Sequence, residues 1–481
     1  MQYKWTALTV TAVGSLMAGL DSRIVVVGLP TIARELGASP ADLVWVTQAY
    51  LLSNTVSLLF IGRVTDLFGR VKMYNIGFII FTIGSVLSSL SLSPLQLISS
   101  RVVQGIGAGM LITNASAIVT DASPKNELGT MLGINQTALR IGNVAGLTLS
   151  GLILVIFTWR GLFYLNIPIG IFGTIWAHMK LREIAKTDRT KKMDWPGLGL
   201  FSTGLISILL AITYLSYGIS GQGIGSSLLL LGAVLMTGFV FAESKSPSPM
   251  LDLQLFKIKL FAMGNVAQLI NALAFSGTLL LSAFYLQIGL GYTPLQAGLS
   301  LLPLDFTYMI STLVAGRLSD KYEPRFLTTL GLLLISSSLF AMTTFGAQTQ
   351  FLEVAIILSI IGIGNGLFTP PNLSAIMGSV PENRIGVASG FRNTMFQIGA
   401  TTSYGIVILL VTFGIPYPAF TQLLQGSSSL VVSAARIQFL NGFRIALFAL
   451  AVIDACAIIP SAMRGSRQKS DIPKPNPSNS H

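Results

Sequence analysis

Long apolar runs constrain this chain more than any other feature of its sequence. Runs of about 18 or more apolar residues, each the length of a membrane-crossing helix, recur from one end to the other. Only 10% of the residues are charged and 52% are hydrophobic, whereas a soluble protein carries about 25% charged residues. The runs are continuous rather than alternating, which excludes a porin-like barrel. The sequence therefore predicts an all-α polytopic membrane protein.

Fourteen segments are long and apolar enough to cross a bilayer as helices. In chain order the predicted spans are Trp5–Val27, Val44–Ile61, Met73–Leu90, Leu95–Val119, Gly129–Phe157, Phe163–Leu181, Pro196–Tyr217, Ser226–Phe241, Leu260–Leu290, Ala297–Leu313, Phe326–Phe345, Leu352–Gly378, Gly386–Phe413 and Phe443–Ser461.

The basic residues are distributed asymmetrically between the two sides of these spans. If the N-terminus starts in the cytoplasm, 22 of the 30 Lys and Arg fall in cytoplasmic segments and four on the other side. This asymmetry predicts a multi-pass protein of the plasma membrane with both termini in the cytoplasm. It also explains the net charge of +12 without a nucleic-acid partner. We expect the basic run at residues 180–192 to contact anionic lipid headgroups.

The chain repeats itself at a nearly constant offset. Gly105, Gly107 and Gly109 recur 257 residues later as Gly362, Gly364 and Gly366. We therefore expect two six-helix parallel-repeat bundles plus two inserted central helices. The predicted domains are residues 1–182, the inserted pair with its linkers at 183–257, the second bundle at 258–463, and a disordered cytoplasmic tail at 464–481. The repeated glycines themselves, as small residues four apart on one helix, favour close helix packing in lipid.

A short charged turn at residues 62–72 separates the second and third predicted spans. Its glycines allow a tight reversal, and its basic residues indicate the cytoplasmic side. An acid within such a turn either forms the turn or acts as a latch that pairs in one conformation and releases in another. The predicted latch residues are Gly62, Arg63, Asp66, Gly69, Arg70 and, from the repeated turn at 316–321, Asp320.

Five stretches of the chain resemble the major facilitator superfamily, specifically its fourteen-helix drug:proton antiporter family. They are the turn at 62–72, the stretch at 97–105 around Arg101, the stretch at 20–30 around Asp21, and residues 159–170 with 194–197. The resemblance implies alternating access at a site between the two bundles, and it links Arg101 to proton transfer. Two positions depart from the family's pattern. Asn143 follows Gly142 where Pro is usual, and Arg23 stands where Thr is usual.

Ionisable residues inside predicted spans are candidates for function because each is expensive to bury in lipid. Burial favours the neutral form of a carboxyl group, so Asp21 with Arg101 is the predicted proton-coupling site; a purely structural ion pair is the alternative. Asp305 is interpreted as a second protonation site or a counter-ion for a cationic substrate, or as a residue without a role that lines a wet cavity. Asp454 lies in a span that is peripheral in this family, where a structural or interface role is equally compatible.

Arg140 and Arg392 add positive charge to two spans expected to border the substrate cavity, where Gln136 also lies. If both arginines face the cavity, the substrate is an anion or zwitterion; if acids pair with them, a cation remains possible. The sequence contains no Walker motif, metal cluster or Ser–His–Asp arrangement. We therefore expect no cofactor, a proton gradient as the energy source, and a monomer that binds small molecules, protons and lipid.

Three functions remain open at this point. The first is proton-coupled efflux of amphipathic small molecules or drugs. The second is transport of an organic anion or metabolite, for which the intramembrane arginines are the clue. The third is a membrane enzyme or receptor on the same scaffold, against which the absence of a catalytic cluster in the sequence argues.

Overall fold

The structure is a computed structural model of the chain, and it describes residues 3–124, 127–184, 194–246, 253–318, 322–380, 385–425 and 429–464. Its α-helices are α1 Tyr3–Leu36, α2 Pro40–Phe68, α3 Arg70–Ser89, α4 Pro94–Ala122, α5 Leu128–Ile156, α6 Gly161–Tyr164, α7 Asn166–Lys180, α8 Trp195–Ser216, α9 Ile219–Lys245, α10 Lys259–Phe284, α11 Pro294–Leu318, α12 Pro324–Met342, α13 Phe351–Gly378, α14 Ile385–Val411, α15 Tyr417–Gln425 and α16 Ser429–Met463. A 3₁₀ turn at Leu253–Lys257 precedes α10, and a π turn at Tyr285–Gly289 follows it.

The predicted fold class is confirmed. Among the described residues, thirteen helical spans are long and apolar enough to cross a membrane, with α6 and α7 forming one of them. Helix α2, with 29 residues, supplies a fourteenth long helix. The protein is therefore a multi-pass helical membrane protein.

Several helix ends differ from the sequence prediction. Helix α2 does not stop at Ile61 but continues to Phe68, so the reversal before α3 is a single residue, Gly69, with φ +99°. Helix α16 begins at Ser429 instead of Phe443, and the short helix α15 was not predicted. Hydropathy reports the width of the hydrocarbon core, whereas these helices extend beyond it into the polar interface.

Two bundles of like topology make up the molecule. We call α1–α7 the N half and α10–α16 the C half. In the N half, α1 packs on α5, α2 on α4, and α3 on both α4 and α7. In the C half the equivalent helices pair in the same way: α10 on α14, α11 on α13, and α12 on both α13 and α16. The halves meet where α5 contacts α11 and α2 contacts α14.

The repeated glycines explain why equivalent helices approach so closely. A Cβ atom built on Gly105 would lie 2.1 Å from the Ser53 Oγ of α2 and 2.4 Å from the Tyr50 carbonyl oxygen. A Cβ atom on Gly362 would lie 2.2 Å from the Leu304 carbonyl oxygen of α11. Both contacts are shorter than any real side chain tolerates, so only glycine allows these helix pairs to form.

The inserted pair α8–α9 packs mainly on itself and reaches both halves through α8. On the N-half side, Trp45 Nε1 of α2 donates a hydrogen bond to Thr213 Oγ1 of α8 at 3.1 Å. On the C-half side, Ile212 of α8 lies against Gly405 of α14. Helix α8 therefore bridges the seam between the halves.

Candidate functional site

The predicted pair of Asp21 and Arg101 forms in the structure. Arg101 Nη1 on α4 lies 2.6 Å from Asp21 Oδ2 on α1, and the two residues are 1% and 0% exposed. Arg101 also stacks over the ring of Tyr50 on α2, with 4.1 Å from Cζ to the ring centroid. Since a buried charge is tolerated only when it is paired and hydrogen-bonded, each partner of this pair depends on the other.

Neutral amides complete the surroundings of Asp21. Gln104 Nε2 and Asn166 Nδ2 both donate to Asp21 Oδ1, at 2.9 Å and 2.8 Å. Gln104 Nε2 also donates to Ser85 Oγ of α3 at 2.8 Å. The Asp21 site thus draws residues from α1, α3, α4 and α7, and it lies inside the N half rather than among the residues that line the central cavity. Gln104 and Asn166 had not been identified from the sequence, because a neutral amide in an apolar run carries no charge signal.

A cavity of about 200 Å³ lies between the two halves. Polar amides and aromatic rings dominate its walls. The lining residues on the N half include Ser15, Arg23, Asn135, Gln136, Arg140 and Asn143, and those on the C half include Gln268, Asn271, Phe275, Tyr308, Asn365, Thr369, Arg392, Asn393, Phe396 and Gln397. Both predicted cavity arginines and Gln136 therefore line it, and Arg23 joins them.

The three cavity arginines are held by aromatic and amide groups. Arg140 lies over the Tyr308 ring at 4.6 Å, and Arg23 over the Phe275 ring at 5.6 Å. Arg392 Nη1 donates to Asn393 Oδ1 at 3.1 Å, while its buried Nε finds no hydrogen-bond partner among the residues that the structure describes. Guanidinium groups offer forked donors that match carboxylates and phosphates, so this wall is suited to an anionic or strongly hydrogen-bonding group.

Asp305 lies near this basic wall. It is buried on α11, one turn before Tyr308, and its electrostatic neighbours are Arg23 and Arg140. Its Oδ2 atom has no hydrogen-bond partner within the described part of the chain. The sequence suggested no partner for Asp305, whereas the structure gives it two cationic neighbours. Among the described residues, three arginines line the cavity, whereas Asp305, which was predicted to line it, lies beside the lining instead. The described wall is therefore positive.

The predicted latch is only partly described. Arg70 forms an ion pair with Asp121 and donates to the Ala117 carbonyl oxygen of α4. Gly69 permits the reversal because its φ of +99° is one that L side chains rarely adopt. The Glu183 carboxylate accepts from the backbone N–H of Arg70 at 2.9 Å and so caps α3.

The other predicted latch residues are less well defined. Asp320 lies outside the described residues. Gly62, Arg63 and Asp66 lie within the last turns of α2 rather than in a turn, and their side chains are outside the described set. A latch through Asp66 stays a prediction.

The two halves are joined by hydrogen bonds near one face of the molecule, which we call the opposite face because α1 starts and α16 ends at the other. Gln287 Nε2 donates to the Val27 carbonyl oxygen at 3.1 Å, and Gln48 Nε2 donates to the Thr401 carbonyl oxygen at 3.0 Å. Tyr417 Oη of α15 accepts from the backbone N–H of Ala41 at 3.0 Å. These contacts join the two halves at the opposite face.

The chain was compared with known families and proteins. The family model described as Major Facilitator Superfamily matches residues 11–404. The riboflavin transporter RibZ of Clostridioides difficile is 33% identical over 406 residues, covering 83% of this chain and 87% of that protein. The multidrug resistance protein Stp of Mycobacterium tuberculosis is 31% identical over 407 residues, covering 83% and 74%.

A solved structure has the same overall fold. It is a bacterial homologue of the human lysosomal transporter Spinster, in an inward-facing and occupied conformation. It superposes with a TM-score of 0.70 over 96% of this chain and 97% of that one, at 16% identity.

Proposed function

The chain belongs to the Major Facilitator Superfamily and is a transporter rather than an enzyme, and from that premise we propose that it exports a small organic molecule in exchange for protons. The transported molecule carries an anionic or strongly hydrogen-bonding polar group attached to a flat aromatic body. The protein works by alternating access in the plasma membrane, as a monomer with both termini in the cytoplasm.

The observation that carries the substrate class is the positive cavity. Arg23, Arg140 and Arg392 line the cavity, and Asp305 is the acid beside Arg23 and Arg140. A lipophilic cation would meet unfavourable charge there, because like-charge juxtaposition opposes binding. Phe275 and Tyr308 offer ring faces next to the guanidinium groups, where a planar substrate can stack. The relatives named for multidrug resistance and for riboflavin are compatible with such an organic substrate.

Proton coupling is assigned to the Asp21–Arg101 pair. A proton on Asp21 would remove the charge that Arg101 balances and weaken the contact between α1 and α4, so protonation and helix movement are linked. Hydrogen bonds join the two halves at the opposite face, and we infer that the cavity opens toward the face of the termini. That face is cytoplasmic if the basic residues are distributed as the positive-inside rule requires.

The test is flux in proteoliposomes that hold purified protein and an imposed pH gradient. The compound panel contains matched anionic, zwitterionic, neutral and cationic aromatic molecules. We expect gradient-driven uptake into inside-acid vesicles for anionic and zwitterionic members. Flux of cations alone would refute the substrate class, and flux that ignores the gradient would refute proton coupling.

The arrangement of the termini has its own test. Single cysteines placed in 182–184 or after residue 464, in a chain whose Cys456 has been replaced, should react with an impermeant thiol reagent only after the cells are opened. Labelling from outside intact cells would overturn the proposed topology.

A further inference from the structure

A second buried carboxylate lies in the C half, outside the machinery assigned above. Asp454 on α16 is 0% exposed. Its Oδ2 accepts a hydrogen bond from Ser336 Oγ of α12 at 2.9 Å, and its Oδ1 accepts one from Asn271 Nδ2 of α10 at 3.3 Å. Both donors are neutral, and no ion pair to Asp454 occurs within the described part of the chain.

This carboxylate lies among helices of the C half that correspond to three of those around the Asp21 site of the N half. The Asp21 site joins α1, α3, α4 and α7, and the Asp454 site joins α10, α12 and α16, the equivalents of α1, α3 and α7. Asp454 stands on the last helix of its bundle, whereas Asp21 stands on the first helix of the other. At the repeat offset of 257 established by the glycines, Arg101 and Gln104 correspond to Leu358 and Ile361. Both of those residues are fully buried, so the C half keeps the buried acid but lacks the cation.

Charged and ionisable side chains on the elements packed around Asp454 do not replace that cation. Arg444 and Arg464 stand ten residues before and after it on α16, about 15 Å away along the helix axis. Lys259 stands twelve residues before Asn271, and Arg325 stands eleven residues before Ser336. Each is therefore about 16–18 Å away along its helix. The remaining ionisable groups on these elements are Tyr285 of the π turn, Arg392 and Tyr404 of α14, Tyr417 of α15, and Arg436 and Cys456 of α16.

Those remaining groups are engaged elsewhere or carry no positive charge. Arg392 belongs to the cavity wall, and Arg436 donates to the Gly289 carbonyl oxygen. Cys456 is exposed on the outer surface. The tyrosines are neutral phenols. An ionised carboxylate at Asp454 would therefore be buried without a counter-charge, a state that proteins avoid by taking up a proton.

One side chain separates Asp454 from the transport cavity. Asn271, which donates to its carboxylate, also lines the cavity. We propose that Asp454 is a proton-binding site that communicates with the cavity through Asn271. The proposal rests on the proton-coupled transport proposed above and adds a second proton site, in the other half of the molecule.

The contact with Asn271 gives the proton an effect on the substrate. When Asp454 is ionised, it needs the Asn271 amide N–H as a donor, and the amide oxygen is left for the cavity. When Asp454 holds a proton, it needs one donor fewer, and the Asn271 N–H can turn toward an anionic group in the cavity. Proton binding in the C half would thus favour anion binding at the cavity wall.

Infrared spectroscopy tests the proton directly and needs no substrate. Difference spectra of the purified full-length protein between acidic and alkaline pH should show the C=O stretch of a protonated carboxylic acid. We expect Asp454→Asn to remove one such band and the matched variant Asp21→Asn to retain it. Ser336→Ala should shift the frequency of the band, because the Asp454 carboxyl group then loses a hydrogen bond. This variant replaces Asp454→Asn as the test if Asp454→Asn does not fold. An unchanged band in Asp454→Asn would overturn the proposal.

Flux measurements separate this proposal from the proposed function. In proteoliposomes, Asp454→Asn should lower gradient-driven flux about tenfold, while substrate exchange without a gradient stays within about twofold of the wild-type rate. If the wild type shows no gradient-driven flux at all, the proposed function fails and the infrared result alone decides the proton site. If the wild type is gradient-driven and Asp454→Asn equals it, the role of Asp454 in coupling is wrong.

Discussion

Asp21 in the N half and Asp454 in the C half are both fully buried carboxylates, and the two halves surround them differently. In the N half, Asp21 is held by Arg101 at 2.6 Å and by two amides. In the C half, the hydrogen-bond partners of Asp454 among the described residues are Ser336 and Asn271. A buried ion pair is rigid and costly to break, whereas an acid among neutral donors can gain or lose a proton without stranding a partner. The comparison teaches that the repeat preserved packing while its electrostatics diverged.

The largest expected effect on stability comes from removing Arg101 from the N-half site. Arg101→Ala leaves Asp21 buried without its cation, and we expect it to destabilise the protein by about 3–5 kcal/mol. Asp454→Asn removes no ion pair of the described residues and introduces a neutral group of similar shape, so its loss should stay within about 1 kcal/mol. Thermal unfolding in detergent measures both.

A double variant serves as the control for this prediction. Asp21→Asn combined with Arg101→Ala removes both charges and should recover part of the loss, as coupled partners do. Equal stability of Arg101→Ala and Asp454→Asn would show that the two sites do not differ as described.

The second prediction concerns transport through the N-half site. Asp21→Asn should uncouple flux from the pH gradient while substrate binding in detergent persists, because Asp21 is outside the cavity wall. The measurement compares gradient-driven flux in vesicles with equilibrium binding for the same preparation. Full gradient-driven flux in this variant would move the proton site away from Asp21 and leave Asp454 as the leading candidate, with Asp305 next.

The third prediction concerns the close helix packing at glycines that both halves share. Gly105→Ala and Gly362→Ala should each destabilise the protein by about 1–3 kcal/mol, because the added methyl group meets backbone of the neighbouring helix. Gly133→Ala and Gly390→Ala are matched controls, since they too are related by 257 residues and a Cβ at either meets nothing within 4 Å. Thermal unfolding of the four variants should separate into two pairs, and a loss confined to one half would contradict equivalent packing.

The smallest expected effect concerns the cavity between the halves. Arg140→Gln should weaken binding of an anionic substrate about tenfold, which corresponds to about 1.4 kcal/mol. Arg140→Lys retains the charge and should lose less. Asp305→Asn should change the ranking of substrates by charge, in favour of anions. Binding measured in detergent across the compound panel reports all three, and an unchanged ranking for Asp305→Asn would remove its role as a counter-ion.

Sequence reasoning reached the fold because hydropathy and the repeat report directly on spans and on their arrangement. It located Asp21, Arg101, Arg140 and Arg392 because charge stands out in an apolar run. It missed Asn166 and Gln104 as partners of Asp21, since amides within helices are common and carry no charge signal. It also placed a turn at Gly62, because polar residues at the end of α2 look like a loop although the helix continues through them.

Helix α8 has a mechanical consequence for the cycle. It contacts α2 in one half and α14 in the other, through Thr213 and Ile212. If the halves rock as proposed, α8 cannot follow both, so one of these contacts would slide and the lipid-facing helix α9, which packs on α8, would move sideways in the bilayer. Part of the resistance to each cycle is then friction with the surrounding lipid, and turnover should slow in a more viscous membrane even where substrate affinity is unchanged.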